Sequence, residues 1–270
     1  MFQAKQSHAL TIYQAPLFAG QSGIVHGFSS RAGGFSKAPY TGLNLGLTSG
    51  DDIETVRKNR IAYAAALGIL PEQVVAGHQV HGTQIARVTA QDGGKGFLDA
   101  AAAIPDTDGL VTAERGIALM TLYADCIPVL FYDAHQEVIA VCHCGWRGTV
   151  NRMAAKTATV MITEYGCKAE HILAAIGPRI SQQYYEVDEP VLEQFASAFS
   201  FADRLIVPTD AHHGKVDLWK ANQLQLEEIG ILPNHIDISE LCTYRHVDKF
   251  YSHRADQGIT GRNAALLMLK

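Results

Sequence analysis

The sequence contains no long apolar run, no block of basic residues and no internal repeat. No segment approaches the roughly 20 apolar residues of a membrane-spanning helix, and the first ten residues lack the apolar core of a signal peptide. Only 18% of the 270 residues are charged and the net charge is −5, which does not suit a nucleic-acid-binding surface. We therefore expect a cytoplasmic protein that binds neither membranes nor nucleic acid.

Signatures of common nucleotide-binding enzymes and hydrolases are missing as well. The chain has no G-x-G-x-x-G after a strand, no Walker loop and no G-x-S-x-G elbow. Cysteine is scarce and odd in number, which favours reduced thiols or metal chemistry over a disulfide framework. The cysteines are Cys126, Cys142, Cys144, Cys167 and Cys242.

The chain does have ample apolar material, since 47% of its residues are hydrophobic, and it can bury a large core. No linker rich in proline, glycine or serine interrupts it, so we expect one domain over residues 1–270. The oligomeric state is not specified by the sequence.

Hydrophobic periodicity and capping residues predict several helices. The first spans Asp51–Leu67, because Asp51 and Glu54 have capping-box spacing and Gly68 can end the helix. Other expected helix boundaries are Thr149, Gly166, Asp188, Asp217 and Gly261, the last of which precedes a short C-terminal helix.

Short apolar segments predict strands between these helices. Ile117–Tyr123 and Ile127–Tyr132 meet at Ala124–Cys126, and Val138–Cys142 delivers His143 at its end. Strands and helices alternate only loosely, which indicates a mixed α/β or α+β domain rather than a doubly wound sheet. Further extended segments are Ile24–Ser29, Val74–Val88 and Ile172–Ile176.

A possible metal-ligand set is spread over about sixty residues: His81, Cys126 and His143. Two imidazoles and one thiolate are donors that zinc prefers, and three protein ligands would leave a fourth position open for water or substrate. Because the three are far apart in sequence, only a folded scaffold can bring them together. The alternative is a buried cysteine that acts as a core residue and two histidines in turns.

Many ordered blocks of the sequence are similar to the YfiH/YlmD family. That family is described variously as multicopper polyphenol oxidoreductase (laccase), purine nucleoside phosphorylase or peptidoglycan editing factor. The blocks run through most of the chain: Gly42–Gly46, Val56–Arg60, Gln79–Gly82, Asp108–Thr112, Ala124–Pro128, His143–Gly148, Ile176–Ile180, Tyr185–Val187, Asp217–Leu218, Cys242–Thr243, Phe250–Arg254 and Thr260–Arg262.

The resemblance implies an α+β fold of the YfiH-like type, a single-domain layered α/β sandwich. It also implies that His81, Cys126 and His143 bind Zn²⁺, with copper less favoured, and that they form the catalytic centre. The implied reaction is phosphorolysis of purine nucleosides such as adenosine and inosine, and of methylthioadenosine, with adenosine deamination as a second activity. The expected partners are therefore a purine nucleoside and phosphate.

Asn44, Arg60 and Arg147 are the candidate substrate-binding residues, because arginine presents a fork of donors that matches phosphate. Arg60 has the alternative of a solvated helix face. Arg147 has the alternatives of stacking on Trp146 or capping the next helix. Asp125 either orients a ligand imidazole or forms a turn.

Three other functions compete with nucleoside phosphorolysis. Copper oxidation of phenols would use a His₂Cys site, but it also needs a histidine-rich cluster for dioxygen, and the twelve histidines include no His-x-His pair. Hydrolysis of a peptidoglycan precursor could use the same open zinc site. A non-catalytic zinc-binding module would instead show a closed fourth position.

The sequence departs from the family at two positions. Cys144 stands where alanine is common after the second ligand histidine, and we expect a small side chain behind the site rather than a ligand, because neighbours in a strand point to opposite faces. Arg179 stands where cysteine or serine is frequent. Neither its role nor those of Cys142 and Cys242 are specified by the sequence.

Overall fold

The structure is a computed structural model that describes residues 2–270. These residues contain fifteen β-strands and six α-helices. In chain order the strands are β1 (Gln3–Ser7), β2 (Leu10–Gln14), β3 (Ile24–Ser29), β4 (Val74–Ala76), β5 (Ile85–Arg87), β6 (Gly109–Thr112), β7 (Ala118–Tyr123), β8 (Ile127–Asp133), β9 (Val138–Cys144), β10 (Leu173–Ile176), β11 (Glu186–Asp188), β12 (Ile206–Pro208), β13 (His213–Val216), β14 (Ile236–Ile238) and β15 (Asn263–Leu269).

The helices are short, and several begin or end where the sequence predicts. Gly166 closes one with φ 72°, a left-handed conformation that suits glycine, and the Asp217 side chain caps another by accepting from the Lys220 amide at 3.0 Å. No helix in residues 2–270 combines the length and apolar character needed to cross a membrane. The helices are α1 (Pro16–Ala19), α2 (Ile53–Ala66), α3 (Trp146–Val150), α4 (Met153–Tyr165), α5 (Glu189–Ala198) and α6 (Leu218–Glu228).

Two predicted helix starts are displaced. Asp52, not Asp51, caps α2 by accepting from the Thr55 amide at 2.9 Å, because the Asp51 carboxylate is engaged by Ser36 and Asn44. Thr149 lies inside α3 rather than at the start of a helix.

The predicted C-terminal helix is wrong, since Asn263–Leu269 forms β15. Every residue of β15 is buried, so the segment carries no alternation that would distinguish a strand from a helix. Its conformation is decided by antiparallel pairing with β3 on one side and β7 on the other.

Three sheets organise the strands. One six-stranded sheet has the order β1-β2-β3-β15-β7-β4, and a second has the order β14-β10-β8-β9-β6-β5. A small third sheet has the order β11-β13-β12. Most pairs are antiparallel, whereas β4–β7, β5–β6 and β10–β14 are parallel. The mixed α+β class predicted from the sequence is confirmed.

The two large sheets face one another across a shared apolar core. Residues of both sheets meet there, including Phe28 and Leu267 of the first and Leu130 and Val141 of the second. The outer face of the first sheet is covered by α2, and that of the second by α4 and α6. The order of layers is therefore helix, sheet, sheet, helix.

Two connections pass from the first large sheet to the second near one end of this sandwich. Residues 77–84 join β4 to β5, and residues 124–126 join β7 to β8. The first connection contains His81 and the second contains Cys126. His81 and Cys126 thus lie where the chain changes sheets, and the sandwich brings the two connections together, whereas His143 lies within β9.

Candidate metal centre

The His81 loop is shaped by the carboxylate of Asp108. The amides of Val80, His81 and Gly82 donate to the two Asp108 carboxylate oxygens at 3.0, 3.1 and 2.9 Å. His81 has φ 60°, which is uncommon for a residue other than glycine. The three hydrogen bonds offset the cost of this conformation and turn the imidazole toward the other ligands.

Asp108 also orients His143. Its Oδ1 lies 2.9 Å from His143 Nδ1, and its backbone carbonyl accepts from the His143 amide at 2.9 Å. A carboxylate on one ring nitrogen fixes the tautomer and leaves the other nitrogen available to a metal, as in known metal sites. One buried aspartate therefore positions two of the three candidate ligands.

The three ligand candidates converge. One donor atom from each of His81, Cys126 and His143 lies within 4.8 Å of the others, and Cys126 Sγ is 4.0 Å from His81 Nε2. The two imidazole rings meet edge to face, with centroids 4.8 Å apart. The sequence-predicted set is thus brought together as a possible metal-binding group.

Gly145 makes this close approach possible. A β-carbon at position 145 would lie 2.9 Å from His81 Cδ2 and 3.2 Å from Cys126 Sγ, both tighter than ordinary contact. Because φ at Gly145 is −70°, the backbone itself would accept another residue. The glycine is needed here for space rather than for conformational freedom.

The electrostatics of the group favour a thiolate. Burial would raise the pKa of the Cys126 thiol, but His143 and His81 together lower it to about 6. Burial would lower the pKa of His143, whereas the Cys126 thiolate and the Asp108 carboxylate raise it to about 10. Burial would likewise raise the pKa of Asp108, but the hydrogen bonds from His143 and the loop amides hold it below its usual range. A thiolate is the form of cysteine that binds metals.

The donor set fits a zinc-type ion. One thiolate and two imidazoles match the ligand types of zinc, and the group opens into a cleft of about 750 Å³ that could admit substrate to a fourth position. Cys144 does not join the group. Its sulfur lies in the apolar core, 3.6 Å from Cys142 Sγ, which agrees with the expected small side chain behind the site.

The cleft is lined by four arginines: Arg60, Arg147, Arg254 and Arg262. In residues 2–270 none of the four forms an ion pair with a carboxylate, whereas Arg57, Arg87, Arg115 and Arg152 each pair with a glutamate elsewhere on the molecule. The carboxylates of Asp125, Glu186 and Asp188 also line the cleft, so the arginines are local points of attraction for anions rather than part of a uniformly positive wall.

Arg60 is not the solvated helix residue considered from the sequence. It is 2% exposed, its Nε donates to the Leu45 carbonyl at 2.7 Å, and its Nη1 donates to the carbonyls of Gly96 and Phe97 at 2.8 and 2.6 Å. Burial lowers the pKa of Arg60 to about 9. Its main contacts tie α2 to two loops of the cleft wall.

Asn44 is also committed to the protein. It is fully buried, its amide donates to Ser49 and Asp51, and its Oδ1 accepts from the Gly46 and Arg262 amides at 3.0 and 2.9 Å. The expected direct contact with substrate is replaced by a role in holding a neighbouring residue of the cleft.

For Arg147 and Asp125 the structure distinguishes between the alternatives that the sequence left open. Arg147 stacks over Trp146 at 4.4 Å, one of the two alternatives, and its exposed side chain also lines the cleft. Asp125 has φ 80°, and its carboxylate accepts from Thr243 Oγ1 at 2.6 Å and from the Arg254 amide at 2.7 Å. It therefore forms the turn before Cys126 and does not contact an imidazole, because Asp108 holds that position.

Sequence reasoning missed the roles of Asp108, Arg254, Arg262 and Tyr185. All four stand in the family-like blocks, so the signal was present, but the sequence analysis gave these residues no role. Tyr185 lines the cleft beneath Arg254, whose guanidinium carbon is 5.3 Å from the ring centroid. Burial raises the pKa of Tyr185, and the nearby Cys126 thiolate adds to that effect.

The whole chain matches known proteins. A family model described as multi-copper polyphenol oxidoreductase laccase matches residues 25–270. Purine nucleoside phosphorylase YlmD of Geobacillus stearothermophilus is 38% identical, over 94% of this chain and 92% of that protein. Purine nucleoside phosphorylase YlmD of Bacillus subtilis is 34% identical, over 92% of this chain and 89% of that protein. The crystal structure of the Bacillus licheniformis hypothetical protein YfiH has a TM-score of 0.94 at 30% identity, over 100% of this chain and 99% of that one.

Proposed function

The chain belongs to the family described as multi-copper polyphenol oxidoreductase laccase, and we propose that it is a zinc-dependent purine nucleoside phosphorylase. The observation that carries the proposal is one cleft that combines a three-ligand group with four arginines lacking carboxylate partners. Phosphorolysis of a nucleoside needs a place for an anionic phosphate, which cationic side chains supply, and a bound metal could activate an oxygen of the attacking group. The relatives named purine nucleoside phosphorylase support the same reaction.

The proposed metal ligands and catalytic centre are His81, Cys126 and His143. Asp108 orients His143 and the His81 loop, so that both imidazoles are preorganised before a metal binds. When bound, zinc would supply Lewis-acid activation of a phosphate or water oxygen. The thiolate form of Cys126, already favoured by the two histidines, would partly neutralise the charge of the ion.

The reaction we propose breaks the bond between the purine nitrogen and C1′ of the ribose and forms a bond from a phosphate oxygen to C1′. The purine leaves with a proton, and ribose 1-phosphate remains. Arg147 lies exposed on the cleft wall, where it can contact substrate, and we assign it that role. Arg60 and Asn44 support the wall through their carbonyl and amide contacts.

Adenosine, inosine and methylthioadenosine are the proposed substrates, and deamination of adenosine is a proposed second activity of the same metal group. Hydrolysis in peptidoglycan-precursor editing is the alternative use of an activated water. We further propose that residues 1–270 form one domain and that the protein acts in the cytoplasm.

Copper oxidation of phenols is the alternative suggested by the family description. The His₂Cys group is compatible with copper as well as zinc. A multicopper oxidase also needs a histidine-rich cluster for dioxygen, whereas residues 2–270 offer one group of three or more potential ligands. The donor inventory therefore supports zinc and nucleoside chemistry over oxidation.

The test is to incubate zinc-loaded protein with adenosine, with and without phosphate, and to separate adenine, inosine, hypoxanthine and ribose 1-phosphate. Phosphate-dependent release of adenine and ribose 1-phosphate is the expected result. Metal analysis of protein purified without added copper should find zinc as the main metal. Several copper atoms per chain, with phenol oxidation as fast as nucleoside turnover, would reverse the ranking.

A further inference from the structure

Two arginines of the C-terminal segment 251–262 are held in the same way. The Arg254 amide donates to the carboxylate of Asp125 at 2.7 Å, and the Arg262 amide donates to the side-chain oxygen of Asn44 at 2.9 Å. Both acceptor side chains are buried. The backbone of each arginine is therefore fixed to the interior, whereas its guanidinium reaches the cleft.

Each guanidinium is further fixed through one nitrogen. Arg254 Nη1 donates to the Glu186 carbonyl at 2.9 Å, and Arg262 Nη1 donates to the carbonyls of Thr260 and Gly261 at 2.9 and 3.0 Å. Arg254 also stacks on Tyr185. Within residues 2–270 the Nε and Nη2 atoms of both arginines have no hydrogen-bond partner. Two preorganised guanidinium groups thus keep donors available to a ligand.

The surroundings of Arg262 favour an anion. The side chain is partly buried with no carboxylate paired to it, and burial lowers its pKa, because a desolvated cation without a partner is unfavourable. Arg254 and Arg262 line the same cleft as Cys126, so both guanidinium groups lie on the wall that surrounds the three ligand candidates.

We propose that Arg254 and Arg262 form the subsite that binds inorganic phosphate beside Cys126. Guanidinium forks match the oxygens of a tetrahedral oxyanion, and two forks from one segment hold it more firmly than a single charge. The inference rests on the proposed function for the identity of the anion as a co-substrate. It differs from the sequence-based expectation, which gave phosphate or ribose contacts to Asn44, Arg60 and Arg147.

The experiment measures binding of inorganic phosphate to the zinc-loaded protein in the absence of nucleoside, by isothermal titration calorimetry. The variants are R254Q and R262Q, with R254K and R262K as versions that keep the charge but lose the fork. R245Q is the matched control, because Arg245 is an exposed arginine nine residues before Arg254 that does not line the cleft. Thermal unfolding of each variant checks that the fold is retained.

We expect R254Q and R262Q each to raise the dissociation constant for phosphate about tenfold or more, as for loss of a charge-assisted hydrogen bond. The dissociation constants of R254K and R262K for phosphate should lie between those of the glutamine variants and that of the wild type. R245Q should bind phosphate as tightly as the wild type. In steady-state assays the same changes should raise KM for phosphate more than KM for the nucleoside.

The outcomes separate this inference from the proposed function. Loss of phosphate binding in R254Q and R262Q supports the subsite even if no nucleoside is cleaved. Phosphorolysis by wild type with an unchanged phosphate KM in both glutamine variants overturns the subsite while the function stands. Wild-type protein that binds no phosphate overturns it as well.

Discussion

Two polar clusters of this protein differ in which of their side-chain atoms lack a hydrogen-bond partner. The metal group, which consists of His81, Cys126 and His143, has donor atoms that face a cleft, and within residues 2–270 its one hydrogen-bonding side chain from outside the group is Asp108. The second cluster, which we call the Asn44 cluster, lies at the start of α2 and uses its polar atoms within the protein. It consists of Ser36, Asn44, Asp51, Asn59 and Arg60.

Residues of both clusters stand in family-like blocks of the sequence, and both clusters supplied candidate site residues. The structure separates them by hydrogen bonding. A buried polar group whose partners are all in the protein contributes to stability, whereas a group with unpaired donors facing a cleft is available for chemistry. Substitutions in the Asn44 cluster should therefore change the free energy of unfolding, and those in the metal group should change activity.

The largest expected effect is that of Cys126→Ala. Loss of the thiolate should remove the metal and lower kcat for nucleoside phosphorolysis on the order of a thousandfold or more, since the three ligands act as a unit. The melting temperature should change little, because the two-sheet core does not include the metal. Metal content, kcat and thermal unfolding are the measurements.

Cys144→Ala is the matched control, because Cys144 is a buried cysteine on the neighbouring strand that faces the apolar core. It should keep both metal and activity. Full phosphorolysis by metal-free Cys126→Ala protein would show that the metal is not catalytic, and the non-catalytic zinc-module alternative would then lead.

Arg60→Ala tests the other side of the comparison. It removes the donor to three buried carbonyl groups, and we expect a loss of about 3 kcal/mol or more in the free energy of unfolding. Zinc content of the folded protein should not change. Lys58→Ala, an exposed change on the same helix, should stay within about 0.5 kcal/mol of wild type. Normal stability with a large rise in KM for phosphate would instead restore the sequence-based role of Arg60.

Asp108→Asn weakens the support of the metal group without removing a ligand. The amide cannot accept from His143 and three backbone amides as a carboxylate does, so metal affinity should fall about 10- to 100-fold. A zinc-chelator competition assay measures the affinity. Asp106→Asn, an exposed change two residues earlier, should leave it unchanged. Equal affinities for the two variants would mean that Asp108 does not orient the ligands.

Gly145→Ala should have the smallest effect. The new methyl group needs a shift of a few tenths of an ångström in His81 or Cys126, so metal affinity should fall about tenfold or less. The backbone conformation suits alanine, and stability should be retained. Gly20→Ala is the control, since the nearest atom to its added β-carbon is 4.0 Å away. Wild-type zinc affinity in Gly145→Ala would show that the ligands are not packed against this position.

Local signals predicted much of the fold. Strands around the ligands and caps at Gly166 and Asp217 follow from short-range patterns, and the family resemblance and mixed α+β class are confirmed. The C-terminal segment Asn263–Leu269 could not be assigned locally, because it is apolar after Asn263 and its state depends on two distant strands. Asp51 failed as a cap because Ser36 and Asn44, which lie outside the helix, occupy its carboxylate.

The sequence by itself determined the identity of the three ligand candidates, because a cysteine thiolate and two imidazoles are defined by residue type. Only the tertiary structure decided which other polar residues support them and which remain free. Asp108 meets the His81 loop, and Arg60 meets three carbonyl groups, through contacts across long sequence separations. Whether a donor is satisfied depends on which backbone groups approach it, and that is a property of the packed chain rather than of any local pattern.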